Sequence, residues 1–368
     1  MVGQFEVEGV RHYPSETIRD QIAAVLSAWG MRPAYVQTTA RVMADADACG
    51  IDTHGISMIP PYDQRRREGI LTVDGEVTVQ RETPVSALVD GGGGLGYVPS
   101  VRAAEIAIDK ARTSGLAAVA VRNSNHFGAA GYYTRMMADA GLIGLSTTNA
   151  SGPRSAPTFG REARLSTNPL AFAAPTKRHP AFSLDMATTT VAAGKVRNRA
   201  NEGAEIPVGW AAGPDGLPLT DPREYERLSR AGATLSPLGG TPEGASYKGY
   251  GLGAMVEILS VALSGASLVT SENHGYRTPG TMDLGHFFLA IDPTMFRDPG
   301  ECEATVDELI DHLHDTTPVD PAQPVMVAGE PENLIRSERE RTGVPMPPGL
   351  RERIRRVADE AGADFLLD

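Results

Sequence analysis

Cysteine and tryptophan occur only twice each in 368 residues, and aromatic residues make up only 6% of the chain. Cys49 and Cys302 are far apart and in no metal-like spacing, so neither a disulfide framework nor a structural zinc site is indicated. A reducing cytoplasm is the expected location. Positive charge is also scarce: 34 Lys and Arg against 46 Asp and Glu leave a net charge of −12, which repels phosphate backbones and anionic lipid. No nucleic-acid or membrane partner is expected. The opening MVGQFEVEGVRHYPSE has no basic stretch followed by an apolar one, and the most apolar long run, from Gly253 to Val269, is short for a span and carries Glu257. A soluble, unexported chain is the expectation. G-x-S-x-G, H-E-x-x-H and Walker-type loops are missing as well, which removes support for hydrolase and nucleoside-triphosphatase chemistry.

What is abundant is glycine, at 40, and proline, at 27, which points to many turns joining alternating elements. Ser15 or Thr17 opens a helix with Ile18, Ile22, Val25 and Leu26 on one face, closing at Gly30. A second helix starts at Pro33 and ends near Cys49, delivering the chain into Gly50-Ile51-Asp52-Thr53-His54-Gly55. Strand-like alternation follows at Val77 and Val79 and at Val85, Ala87 and Val89. Next come a helix over Ser100–Ser114, a buried strand over Leu116–Val121, a helix near Ala129–Ala140, and strands at Leu142–Thr147, Leu170–Ala173 and Phe182–Asp185. Residues 199–247 read as surface excursions. Tyr250–Leu263 reads as an apolar helix, Gly285–Ile291 as a strand, and Thr305–His314 and Gly349–Ala361 as surface helices. The class is α/β. With helices at both ends and strands between, residues 1–75 and 305–368 are expected to associate in a helical layer, and 76–304 to form the sheet-bearing unit.

Gly91-Gly92-Gly93-Gly94-Leu95-Gly96 satisfies G-x-G-x-x-G between a strand and a helix, the place of a dinucleotide phosphate loop. A run of glycines meets that pattern trivially, and Arg122 and Asn123 stand where an acid for the ribose is expected. A tight strand-to-helix turn is the better reading. Two histidines have more informative surroundings: His54, between Thr53 and Gly55, and His126, in Asn123-Ser124-Asn125-His126-Phe127-Gly128. The second lies between a buried strand and a helix, where α/β sheets bind ligands, and its neighbours can fix which imidazole nitrogen carries the proton. A hydrogen-bonded structural histidine is the competing reading. His312 and His314 point to different helix faces and read as solvated, so no metal site is expected. The arginines at 65 to 67 and at 351, 353, 355 and 356 read as solvated or internally paired in so acidic a chain.

Seven ordered blocks carry a resemblance over nearly the whole chain: ADACGIDTHGISMIPPY (44–62), SNHFGAAGYY (124–133), GLSTTN (144–149), LSTNPLAFAAP (165–175), DMATT (185–189), KGYGLGAMVEILSVALSGA (248–266) and GHFFLAIDP (285–293). The chain resembles the type-2 malate/L-lactate dehydrogenases, whose relatives include sulfolactate, ureidoglycolate and piperideine-2-carboxylate oxidoreductases. The resemblance implies a non-Rossmann α/β fold with a mixed NAD(P)-binding sheet, a helical layer from both termini, and a homodimer with active sites near the subunit boundary. It implies NAD or NADP held by Asn149, Asp185, Met186, Ala187, Lys248, Gly329 and Glu330, with backbone groups and one fixed cation replacing a glycine-rich helix start. His126 takes the acid/base position for hydride transfer between nicotinamide and a small 2-hydroxy or 2-oxo acid. His54, with Thr53 in place of the usual Ser, orients the substrate or completes a polar relay, to which Asp185 also belongs, and Tyr62 lies near the substrate. The family commonly reads S-H-G-x-x-R, the Arg pairing with the substrate carboxylate; here that position is Met58, which cannot form the pair. Either another cation such as Arg154 replaces it, or the substrate is less polar there. A cyclic-imine reductase is one alternative, and a silent cofactor-binding protein is another from a different class.

Overall fold

The computed structural model describes residues 9–270 and 282–368; part of the opening stretch read above lies outside them. The chain begins with strand β1 (Arg11–Tyr13) and helices α1 (Ser15–Ala28) and α2 (Pro33–Ala48). Pro14, not a hydroxyl side chain, takes the capping position of α1. Ile18, Ile22, Val25 and Leu26 are fully buried, each worth about 1.5–3 kcal/mol against exposure. A 3-10 turn over Ile56–Met58 leads into α3 (Ile59–Arg67), followed by β2 (Thr78–Thr83), β3 (Ser86–Asp90), α4 (Tyr97–Ser114), β4 (Leu116–Ser124), α5 (Gly131–Asp139) and β5 (Ile143–Thr148). Next are β6 (Leu170–Ala174), β7 (Phe182–Met186) and α6 (Ala193–Glu202).

Residues 199–247 carry more structure than surface excursions. Strands β8 (Ala211–Ala212) and β9 (Pro218–Leu219), helix α7 (Pro222–Leu228) and strand β10 (Thr234–Leu235) form, with α6, a small unit. Val191, Val196, Ile206, Tyr225 and Leu235 give it a core of its own. The chain continues through α8 (Ser246–Glu257), a π-helical turn over Ile258–Ala262, β11 (Leu284–Ile291), α9 (Glu301–His314), α10 (Glu330–Thr342), β12 (Val344–Met346) and α11 (Pro348–Ala361).

The main sheet has the order β2-β3-β4-β11-β5-β6-β7. Only the β3–β4 pair is parallel, joined across by α4; the other pairs are antiparallel. This is the mixed sheet expected. Late in the chain, β11 inserts between β4 and β5, and its Leu284–Phe288 are all buried, as a central strand requires. Near the two ends of the chain, β1 pairs with β12, the Tyr13 hydroxyl donates to the Leu367 carbonyl at 2.8 Å, and α1 packs on α11. Their buried side chains join the sheet's in one hydrophobic core. None of the described helices is long and apolar enough to cross a membrane.

Candidate active site

Three segments converge: the turn after α2, the loop between β4 and α5, and the stretch from β7 to α6. The first is held from beneath by Asp47 on α2, 2% exposed, whose Oδ2 accepts the Ile56 N–H at 2.8 Å. A Cβ at residue 55 would overlap that carboxylate, so Gly55 is required by the packing. Arg339 on α10 donates to the Asp47 carbonyl and forms a two-pronged pair with Asp52, its Nη2 at 3.0 Å. Burial pushes the Asp47 carboxyl well above its usual range, with the Ile56 N–H and Arg339 pulling the other way. On this base, the Thr53 Oγ1 lies 2.8 Å from His54 Nδ1.

In the second segment, β4 runs further than its apolar pattern, to Ser124, with Asn123 at positive φ. His126 Nδ1 lies 2.6 Å from the Tyr62 hydroxyl, and that hydroxyl 2.8 Å from Tyr97's. Both tyrosines are fully buried, which raises their pKa values and keeps them neutral phenols. The His54 and His126 rings stack with centroids 5.4 Å apart. Among the described residues neither Nε2 has a partner, so two imidazole edges are left for a ligand. Burial lowers His54 to about 4. Burial, then the charges of His54 and Arg65, hold His126 well below the usual histidine range.

His286 forms the floor. At 0% exposure on β11, it lies 2.8 Å from Ser124 Oγ on β4 and 2.6 Å from Thr148 Oγ1 on β5. Phe127 stacks on it with centroids 4.5 Å apart, fixing the residue next to His126. The glycine cluster contributes to the same loop. Gly92 and Gly93 take positive φ, and the Gly96 N–H donates to the His126 carbonyl at 3.0 Å. A side chain at residue 96 would overlap the Asn125 carbonyl, so these glycines allow α4 to start against the histidine loop.

The third segment lies on the sheet's edge strand, β7. Asp185 Oδ2 accepts the Gly131 N–H at the start of α5 at 2.7 Å, tying β7 to the far end of the histidine loop. Walled by protein yet open on one side, its carboxyl is raised to about 6 by burial, against the pull of that N–H. It anchors the loop; its described partner is Gly131, not a histidine. The Ser183 N–H donates outward to the Ala328 carbonyl, so Asp185, two residues on, presents its own backbone N–H and C=O at the same open edge. Gly329 abuts Ser183, and Glu330 accepts the Val327 N–H at 2.9 Å and pairs with His314 at 2.8 Å. His314 thus meets a side-chain partner and is not simply solvated, since α10, unseen in the sequence pattern, brings Glu330 to it. Beyond Met186 and Ala187, the Thr188 carbonyl accepts the Leu238 N–H, and α8, whose first turn carries the exposed Lys248, packs on both. At the start of α6, a Cβ at Gly194 would lie 3.7 Å from the Thr53 methyl.

Not every predicted site residue converges here. Asn149 is buried, with its amide engaged by the Gly285 N–H and the Ser267 carbonyl. Met58 packs partly on the hydrophobic core. Arg154 is exposed beside β10, and its charge is felt at Tyr225. The sequence did not single out Tyr97, His286 or Asp47, and Arg65, read there as solvated or internally paired, is half-buried against Asn125 and Ser151; a buried polar residue inside a strand, such as His286, is the one local signal available. No cluster of three metal-ligating side chains occurs among the described residues.

A mixed sheet carrying two neighbouring imidazoles next to an open strand edge provides a place where a ligand can be held beside proton-carrying groups. The family profile described as Malate/L-lactate dehydrogenase matches residues 13–355, and the chain belongs to that family. It is 37% identical to the L-sulfolactate dehydrogenase of Methanothermobacter thermautotrophicus over 352 residues, 95% of this chain and 97% of that one. It is also 37% identical to the malate dehydrogenase of Pyrococcus abyssi, over 96% of both chains. The crystal structure of malate dehydrogenase from Entamoeba histolytica superposes with a TM-score of 0.91 at 32% identity, covering 96% of this chain and 99% of that one.

Proposed function

We propose that this chain is a pyridine-nucleotide-dependent dehydrogenase interconverting a small 2-hydroxy acid and its 2-oxo acid, working as a homodimer. The observation that carries the reading is the stacked His54–His126 pair, one imidazole fixed by Thr53 and the other by Tyr62, next to the open edge of β7. The malate and sulfolactate specificities named for the relatives support the substrate class. The residues around β7 fit a dinucleotide: the Asp185 backbone edge, the Met186–Ala187 strand end, the Gly329–Glu330 turn, and Lys248 as an exposed cation for phosphate. Asn149 serves that site indirectly, by joining the ends of β5 and β11. The nicotinamide, when bound, supplies or accepts the hydride.

His126 handles the proton at Nε2. In both the neutral base and the imidazolium acid, Nδ1 keeps its hydrogen and donates it to Tyr62 O, and Tyr62 passes its own hydrogen bond to Tyr97. A relay that drew the proton from the phenols would leave a tyrosinate in a fully buried place, so the acid is the imidazolium. His54, stacked beside His126, orients the substrate. The test is oxidation of NADH and NADPH against 2-oxo acids, cyclic imines and carboxylate-free ketones. Turnover of 2-oxo acids is the expected result; turnover of cyclic imines alone would move the chain to imine reduction, and binding of either nucleotide without turnover of any compound would contradict the reading.

A further inference from the structure

Arg65 stands apart from the two arginines that follow it. Arg66 and Arg67 both pair with Asp63, whereas Arg65, half-buried and three residues after Tyr62 on α3, meets no carboxylate among the described residues. Its Nη1 donates to Asn125 Oδ1 at 3.4 Å and its Nη2 to Ser151 Oγ at 3.1 Å, both neutral acceptors. Asn125 directly precedes His126, and the guanidinium's charge is felt at both His126 and Tyr62. A guanidinium drawn partly out of water, with five donors and two neutral acceptors, is completed by an anion, and its planar fork fits a carboxylate. Met58, one turn before Tyr62, offers no charge, and Arg154 sits against a different part of the molecule.

We propose that Arg65, reaching from α3 to the loop that carries His126, is the cation that receives the substrate carboxylate in this chain. The proposal rests on the dehydrogenase reading for its substrate and adds a residue to it. The dinucleotide's phosphates are the other anion within the complex. A carboxylate is favoured because Arg65 joins the imidazole loop, not the edge of β7.

Arg65→Gln and Arg65→Lys test this in the full-length protein, with melting curves to confirm folding. Three readouts are needed: kcat/KM for a 2-oxo acid and for its uncharged amide, the Kd of the reduced nucleotide, and calorimetric binding of oxamate, which needs no turnover. Expected for Arg65→Gln is a loss of about 10- to 150-fold confined to the carboxylate and to oxamate, the worth of one charge-assisted contact. Arg65→Lys should restore part of it, because charge without the fork remains. Equal losses on acid and amide would make Arg65 only a prop for the loop and overturn the proposal, as would a loss appearing in nucleotide affinity instead. Oxamate binding that depends on Arg65 in a protein without reductase activity would sustain this assignment while the dehydrogenase reading fails. Wild-type protein that binds no oxamate, with or without nucleotide, would overturn it.

Discussion

Tyr62 fixes His126 through one hydroxyl, and its contribution is separable from burial. Tyr62→Phe removes the acceptor for Nδ1–H and keeps the ring, so kcat should fall by about 10- to 100-fold with little change in nucleotide affinity. Steady-state kinetics with nucleotide titration checks this; a change in affinity alone would place Tyr62 elsewhere in the function. His286 makes a separate prediction for stability. Its folded pKa is lowered to about 3, so the unfolded chain binds a proton that the folded one refuses. The stability it supplies is complete above about pH 6.5 and is lost as pH falls toward the folded value, at about 1.4 kcal/mol per pH unit. His286→Gln should flatten that part of the melting-temperature profile between about pH 6 and about pH 4. The residues themselves show where sequence reading stops. His54 and His126 stood out because polar side chains occupied turns between apolar elements. Tyr62 and Arg65 had no such local mark, since their partners at 126, 125 and 151 are supplied by tertiary packing.

Among the elements, the apolar period identified every strand of the main sheet, and it could not order them. The strand 284–291 reads clearly as a strand, but its place between β4 and β5 depends on pairings more than a hundred residues apart. Helix α10 was invisible because its sequence, EPENLIRSERERT, has almost no apolar face; Arg336 pairs with Asp45 at 2.5 Å and Arg339 with Asp52, so tertiary ion pairs dock it. The glycine cluster has a structural purpose that pattern matching cannot separate from phosphate binding. Gly96→Ala would drive a methyl into the Asn125 carbonyl and shift the His126 loop. The expected outcome is a destabilised protein with activity reduced at least about tenfold, read by melting and kinetics together. An unchanged Tm with lost nucleotide binding would instead point to a phosphate loop.

At the scale of the molecule, the 12 excess negative charges disfavour binding to a phosphate backbone. One stretch of surface bears on the proposed homodimer. Tyr247, Tyr250, Met255, Ile258 and Leu263 follow one another along α8 and the π-helical turn, all at least 38% exposed. These exposed apolar side chains are the candidate contacts of that homodimer. Sedimentation should give twice 39.0 kDa, and Ile258→Asp with Leu263→Asp should shift it to the monomer; a wild-type monomer at micromolar concentration would refute the dimer.

The measurement that tests the central claim most directly is kcat/KM in both directions for wild type, His126→Gln and His54→Gln, from about pH 5 to about pH 9. With the free imidazole held below its usual pKa, wild-type oxidation should stay flat well below pH 6.5, and reduction should rise as pH falls. His126→Gln should lose about 10²- to 10⁴-fold together with that pH dependence, while His54→Gln keeps the profile at a raised KM. A His126→Gln enzyme that retains the wild-type profile, with His54→Gln losing it, would contradict the assignment of the proton to His126.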